Sequence, residues 1–295
     1  MVPVRTHLDC YPCFVRQAVA AARLAGADAV AQQHAVRSAL ELLGEVDGGL
    51  EPPRIADQVH RVLRAELGDG DPYLAYKEAT TSAALELYPW LTERVTTAPD
   101  PLAAAVRVAI AGNIIDAGPT DDVPTVADLW AATQRVLAAP LAIDHLAALR
   151  AELERAPWVL YLADNAGETV FDRVLIETLR LPVTYAVKSG PTLNDATRTD
   201  AFAAGLGTTA RVMEIGCDAP GVSLDLCSSE FRRVFASAPL VLAKGQANYE
   251  SLSDAGPRVF SLLQVKCPVI AADIGAPVGG VVVRRAVPAP ELVEV

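Results

Sequence analysis

Apolar residues recur every third or fourth position from residue 14 to about 150, the spacing of helices that bury one face. The pattern predicts helices over 28–43, 53–67, 72–91, 101–115, 125–138 and 144–154, with Pro near several starts and Gly or Asp-Gly pairs between them. From Trp158 the pattern changes. Short runs of β-favouring apolar residues alternate with helical spacing, predicting strands at 158–163, 183–187, 211–215, 240–243, 259–263 and 281–284. Helices are expected near 168–180, 193–204, 222–236 and 247–254. Such alternation implies a mostly parallel sheet covered by helices on both faces. The expected architecture is α/β: an all-α helical domain over 1–155, then a three-layer α/β/α domain over 156–295.

Composition narrows the function classes. With 295 residues, 52% of them hydrophobic, the chain can bury a large core. A formal charge of −11 argues against sequence-independent binding to nucleic acid or to an anionic membrane, both of which need clustered Lys and Arg. No apolar run reaches the roughly 18 residues of a membrane span, and MVPVRTHLDCYPC lacks a signal-peptide core, so a cytoplasmic location is expected. Five cysteines are an odd number and too few for a disulfide framework, which makes reduced thiols the default. Cys10 and Cys13 form a CxxC leading into a helix, readable as half a zinc site, as a redox pair or as packing at a helix start.

The chemistry concentrates after the first strand, in WVLYLADNAGETVFDRVLIETLR at 158–180. A strand ending in Asp164 and Asn165, turning on Gly167 and entering a helix after Glu168 sets oxygen ligands at the carboxyl edge of a sheet, where open α/β folds bind ligands. The helix start behind the turn suits an anion such as phosphate, and oxygen ligands beside it suit a hard divalent cation. The competing reading is that Asp164 only caps the helix. Later strand ends add KSGPTLNDATRTD, with Asn194 and Asp195 opening a helix, then KGQANY, with Lys244, Gly245, Asn248 and Tyr249, and then Lys266. In the helical region AGNIID sets Asn113 and Asp116 on one helix face amid apolar neighbours, where they either tie the helix end or face the site.

Together CYPC, DPYLAYKEA, GNIID, DNAGETVFD, KSGPTLNDATRTDA, AKGQANYE and LLQVKCPVIAADIG resemble the domain-of-unknown-function 89 family, whose members include metal-dependent damage-control phosphatases. The resemblance spans nearly the whole chain, and its CxxC form is similar to the compact prokaryotic branch. Thr80 stands where the family pattern has an asparagine, and GAPVGG is a looser form of its closing turn.

The resemblance implies one divalent cation (Mn, Mg, Co or Ni) held by Asp164, Asn165 and Asp195, with small phosphorylated metabolites as substrates. Asp164, Glu168 and Lys244 are then the candidate catalytic residues, with Glu168 orienting water or protonating the leaving group. Asn165, Glu168, Asn194, Lys244, Gly245, Asn248, Tyr249, Lys266, Asn113 and Asp116 are the candidate substrate contacts. Attack by water and formation of an aspartyl phosphate on Asp164 both remain open. The alternatives are an S-adenosylmethionine-dependent carboxyl methyltransferase, poorly served by the single glycine of DNAGE, and a metal- or nucleotide-binding module without turnover.

Overall fold

The computed structural model describes residues 4–68, 70–114 and 123–287. The first helices are α1 (Tyr11–Leu24), α2 (Ala29–Glu45) and α3 (Pro52–Leu67). They close a core of their own around Phe14, Ala18, Ile55, Val59 and Leu63, which also receives Tyr73 and Tyr76. Local chemistry sets their ends. Asp28 caps α2 by accepting from the N–H groups of Val30 and Ala31 at 3.0 and 2.9 Å, and α3 opens on Pro52.

Helices α4 (Leu74–Thr96), α5 (Pro101–Gly112), α6 (Val126–Ala138) and α7 (Leu146–Arg155) follow, with strand β1 (Leu141–Asp144) before α7. Then come β2 (Val159–Leu162), α8 (Thr169–Leu179), β3 (Val183–Val187), α9 (Arg198–Ala203) and β4 (Arg211–Glu214). The chain continues through α10 (Ser229–Ser237), β5 (Val241–Lys244), α11 (Gly245–Leu252), β6 (Val259–Gln264), α12 (Pro268–Ile274) and β7 (Val281–Arg285). The described residues form one seven-stranded sheet in the order β1-β7-β6-β5-β2-β3-β4, parallel except where β7 runs against β6.

Alternation along the strands divides the core. Tyr161, Tyr185, Leu242, Phe260 and Leu262 face Leu87, Leu91, Val106, Ile110, Phe171 and Leu175 of α4, α5 and α8. Leu160, Leu162, Val241 and Ala243 face Phe231 and Phe235 of α10. Leu263 and Val282 meet Tyr249, Ile270 and Ile274 of α11 and α12. The result is the three-layer arrangement expected, with α4 and α5 sharing the core of the sheet.

Four elements differ from the sequence reading. β1 lies within the stretch read as helical, ahead of the boundary placed near residue 155; it is a four-residue edge strand with no fully buried side chain, so it carries little apolar signal. α12 was not expected, and α9 and α10 start later than their spacing suggested because residues 194–197 and 222–228 are spent on turns and pairing. No helix among the described residues is long and apolar enough to cross a membrane.

Strand order reverses between β2 and β5, whose carboxyl ends lie side by side. This is the switch point at which open α/β sheets form a crevice. The loops after β2, β3 and β5 all open there.

Candidate active site

Pairing continues past β2 through Ala163, whose N–H donates to Ala186 O at 3.0 Å, and the chain then leaves the sheet at Asp164. The loop after β3 folds back on it. Ala196 N–H donates to Asp164 O at 2.7 Å, Ala166 N–H donates to Asn194 O at 2.8 Å, and Asn165 and Asp195 form an isolated antiparallel bridge. Asp164, Asn165, Asn194 and Asp195 therefore stand together, all but buried. They are not caps. No side chain caps α8, and α9 is capped by Thr197 and Asp200 in a reciprocal box.

Amides bind the acidic pair of the first loop. Asn113 Nδ2 donates to Asp164 Oδ2 at 2.8 Å and to Glu168 Oε2 at 3.3 Å, and Asn165 Nδ2 reaches the same two oxygens at 3.2 and 3.0 Å. Asn113 thus both ends α5 and faces the site, while its Oδ1 accepts from Gln264 N–H at 3.4 Å. Asp116 lies outside the described residues. Gly245 opens α11 at φ +77°, and a Cβ there would stand 1.8 Å from Asp164 Oδ2, so the carboxylate occupies the space a side chain would fill.

Lys244 is placed differently from the sequence reading, which set it against the substrate phosphate. Its ammonium is fully buried and donates to Glu168 Oε1 and Asp172 Oδ1, each at 2.5 Å, and to Ala109 O at 2.8 Å. Burial opposes that charge, but Asp172 and Glu168 outweigh it and raise the Lys244 pKa above the usual lysine value. Glu168 is equally buried, so these two groups form a floor beneath Asp164 rather than a surface that meets substrate.

Asp172 is the residue that sequence reasoning missed. Besides Lys244 it accepts hydrogen bonds from the Tyr161 and Tyr185 hydroxyls, both at 2.7 Å. Burial raises its pKa against the pull of Lys244, and Glu168 adds to the rise. Both tyrosines are pushed well above their ordinary value, by burial first and then by Asp172. A signal existed: Glu168 and Asp172 are like charges four apart on one helix, an unfavourable pair unless a cation joins them.

A second lysine, Lys188 at the end of β3, pairs with Asp195 Oδ2 at 3.4 Å and donates to Gly221 O. Asn248 donates to Ala163 O at 3.0 Å and Lys244 O at 2.7 Å, which turns its Oδ1 away into a buried position without a hydrogen-bond partner among the described residues. Tyr249 does not join the group; it is buried among Leu263 and Ile270, with its hydroxyl between Asp273 and Arg284 at 2.5 and 2.8 Å. Lys266 stands half-buried on the loop after β6, its N–H donating to Gln246 Oε1 at 3.2 Å. No cluster of three or more His, Cys, Asp or Glu side chains arranged for a metal occurs among the described residues; the set that converges is two aspartates and an asparagine.

Comparison with known proteins shows the family and the fold. Residues 6–282 match the family described as the Damage-control phosphatase ARMT1-like domain. A damage-control phosphatase of Pyrococcus horikoshii is 33% identical over 96% of this chain and 98% of its own length. One from Archaeoglobus fulgidus is 33% identical over 78% of this chain and 81% of its own. An uncharacterized protein of Methanocaldococcus jannaschii is 34% identical over 94% of each. The crystal structure of a DUF89 family protein from Pyrococcus horikoshii superposes with a TM-score of 0.86 at 32% identity, covering 95% of this chain and 99% of that one.

Proposed function

Because the chain belongs to the Damage-control phosphatase ARMT1-like family, we propose that it is a phosphatase that hydrolyses small phosphomonoesters with one divalent cation at the β2–β5 crevice. The observation that carries this reading is the charge balance at the switch point. Asp164, Glu168, Asp172 and Asp195 are all at most 8% exposed, and among the described residues Lys188 pairs with Asp195 and Lys244 with Glu168 and Asp172. A formal excess of two negative charges in a region of low dielectric favours a doubly charged partner.

The residues present fit such a partner. Carboxylate and amide oxygens are the ligands that hard divalent cations prefer. The amide nitrogen of Asn165 is committed to Asp164 and Glu168, so its carbonyl oxygen is the end left for a cation. Asp164, Asn165 and Asp195 would hold the ion. Once bound, a divalent cation supplies Lewis-acid polarisation of a phosphate oxygen and charge for the transition state.

The chain's own groups do the positioning. Asn113 and Asn165 fix one oxygen of Asp164, and Lys188 fixes one of Asp195. Lys244 binds both Glu168 and Asp172 beneath them, which keeps the amide network in one arrangement. Beside the Thr192–Asp195 turn an opening is lined by His60, Arg64, Asp71, Tyr73 and Thr192. Burial, with the charge of Arg64 adding to it, holds His60 down at about 4, so its imidazole is neutral above that pH beside the charged Arg64 and Asp71.

The test is a phosphate-release screen over sugar phosphates and phosphorylated cofactor fragments. Mn, Mg, Co and Ni are supplied in turn, with chelator and the variants Asp164→Ala and Asp195→Ala as controls. Hydrolysis that needs a metal and both aspartates is expected. Release that survives chelator, or no release from any ester with any metal, defeats the reading.

A further inference from the structure

Cys217 and Cys227 bracket the segment between β4 and α10, and their sulfurs lie 3.8 Å apart. Neither Cys217 nor Cys227 is in a disulfide. Cys217 is half-buried and open to a small reagent, whereas Cys227 is buried, its sulfur 3.3 Å from Ser223 O. A disulfide holds its sulfurs at about 2.05 Å, so closure asks for an approach that two side-chain torsions and a turn segment can share.

That segment is wired to the crevice. It carries Gly221, whose carbonyl accepts from the Lys188 ammonium, and Lys188 in turn pairs with Asp195. Cys217 O accepts from Ser189 N–H at 3.0 Å, and Gly216 N–H donates to Ser189 Oγ at 2.7 Å, so the residue after Lys188 is held to the same segment by its main chain and its hydroxyl.

We propose that Cys217 and Cys227 are a reversible thiol–disulfide pair, and that their oxidation by a peroxide shifts the Gly221 carbonyl and loosens the hold of Lys188 on Asp195. The reactivity of the first thiol agrees with its surroundings. The hydrogen bond from Cys227 holds the Cys217 thiol down at about 6 despite burial, with the Ala219 N–H and Lys188 helping. The Cys227 thiol is pushed up by the same hydrogen bond and by burial.

The steps balance. Cys217 thiolate attacks one peroxide oxygen; an S–O bond forms, the O–O bond breaks, and the departing oxygen takes a proton to leave as water. Cys227 sulfur then attacks the Cys217 sulfur; the S–S bond forms, the S–O bond breaks, and the hydroxyl leaves as water with the Cys227 proton. Two thiols lose two electrons, and one peroxide becomes two waters.

The experiment treats the whole protein with hydrogen peroxide, blocks the remaining thiols with N-ethylmaleimide and maps peptides without reduction. A Cys217–Cys227 link lighter by two hydrogens is expected, with the thiols labelled after unfolding falling by two and recovering in dithiothreitol. Amide hydrogen exchange over residues 188–197 is expected to quicken severalfold in the oxidised protein and to be unmoved by peroxide in Cys227→Ser. Cys217→Ser, at the more exposed position, repeats the control should Cys227→Ser fold poorly. If Cys217 and Cys227 stay reduced, or Cys217 ends as an unlinked sulfinic acid, the pair is overturned. A link with unchanged exchange overturns the coupling to Asp195. None of these readouts depends on whether any phosphate ester is hydrolysed.

Discussion

Asn165 and Asp195 face each other across an isolated antiparallel bridge, thirty residues apart in the chain, and this backbone contact joins two crossover loops at their tips. Because the contact is made by main chain, the two loops keep their spacing whatever their side chains hold. Asp195→Asn preserves that backbone and the side-chain volume while removing one charge. The expected result is loss of measurable Mn binding by titration calorimetry and a fall in kcat/KM of at least about 10²-fold, the scale for losing one preorganised electrostatic contact. Retained Mn affinity would remove Asp195 from the site.

Gly245 sits where Asp164 needs room. Gly245→Ala has to accommodate a Cβ at 1.8 Å from Asp164 Oδ2 and a φ of +77°, which by itself costs about 1–2 kcal/mol in an L-residue. The carboxylate must swing away, so phosphate release should be lost while far-UV circular dichroism stays native and the melting temperature drops. A variant with wild-type activity would show that Asp164 need not occupy this position.

Much of this was legible from residue types. Strands β2, β3 and β5 are unbroken apolar runs because both faces are covered, and their ends are marked by abrupt polar residues such as Asp164, Lys188 and Lys244. What the chain does not print is direction. Lys244 reads as a cation at a strand end, but it continues the face of Leu242, toward α5 and α8, and so points under the sheet edge rather than out of it. Tyr161 and Tyr185 read as strand filler and turn out to bond Asp172 through their hydroxyls. Tyr249 reads with Asn248 as one motif, yet adjacent helical positions look in different directions, and only Asn248 faces β2. β1 escaped because an edge strand of four residues, two half-buried and two exposed, has no buried apolar run to show.

Lys244→Met tests the buried floor. The substitution keeps length and apolar stem but leaves Glu168 and Asp172 in a fully buried place with no cation between them. Breaking a buried pair in this way costs about 3–5 kcal/mol, which should appear as a lower urea midpoint with an unchanged m-value. Adding Asp172→Asn to Lys244→Met removes one of the stranded charges and should recover part of the loss. If the single variant is as stable as wild type, both carboxyls are carried protonated and the ion pair is not what orders the site.

Glu250 offers a prediction in pH. Burial raises its carboxyl from 4.5 to about 8, opposed by the Gln246 amide at 3.0 Å and assisted by the charges of Asp273 and Glu51. A carboxyl with a raised folded-state pKa stabilises the fold fully below the unfolded value and loses that contribution as pH climbs through the folded one. Between about pH 4.5 and 8 the folded chain holds a proton that the unfolded chain has released, so unfolding free energy should decline by about 1.4 kcal/mol per pH unit from this group. Glu250→Gln stays neutral throughout and lacks that slope. Urea unfolding from pH 5 to 9 should therefore show the variant gaining on the wild type as pH rises, with the gain levelling off above pH 8. A stability difference that stays constant across the range would mean that Glu250 is ionised in the folded protein, with Gln246 alone sufficient to hold its charge.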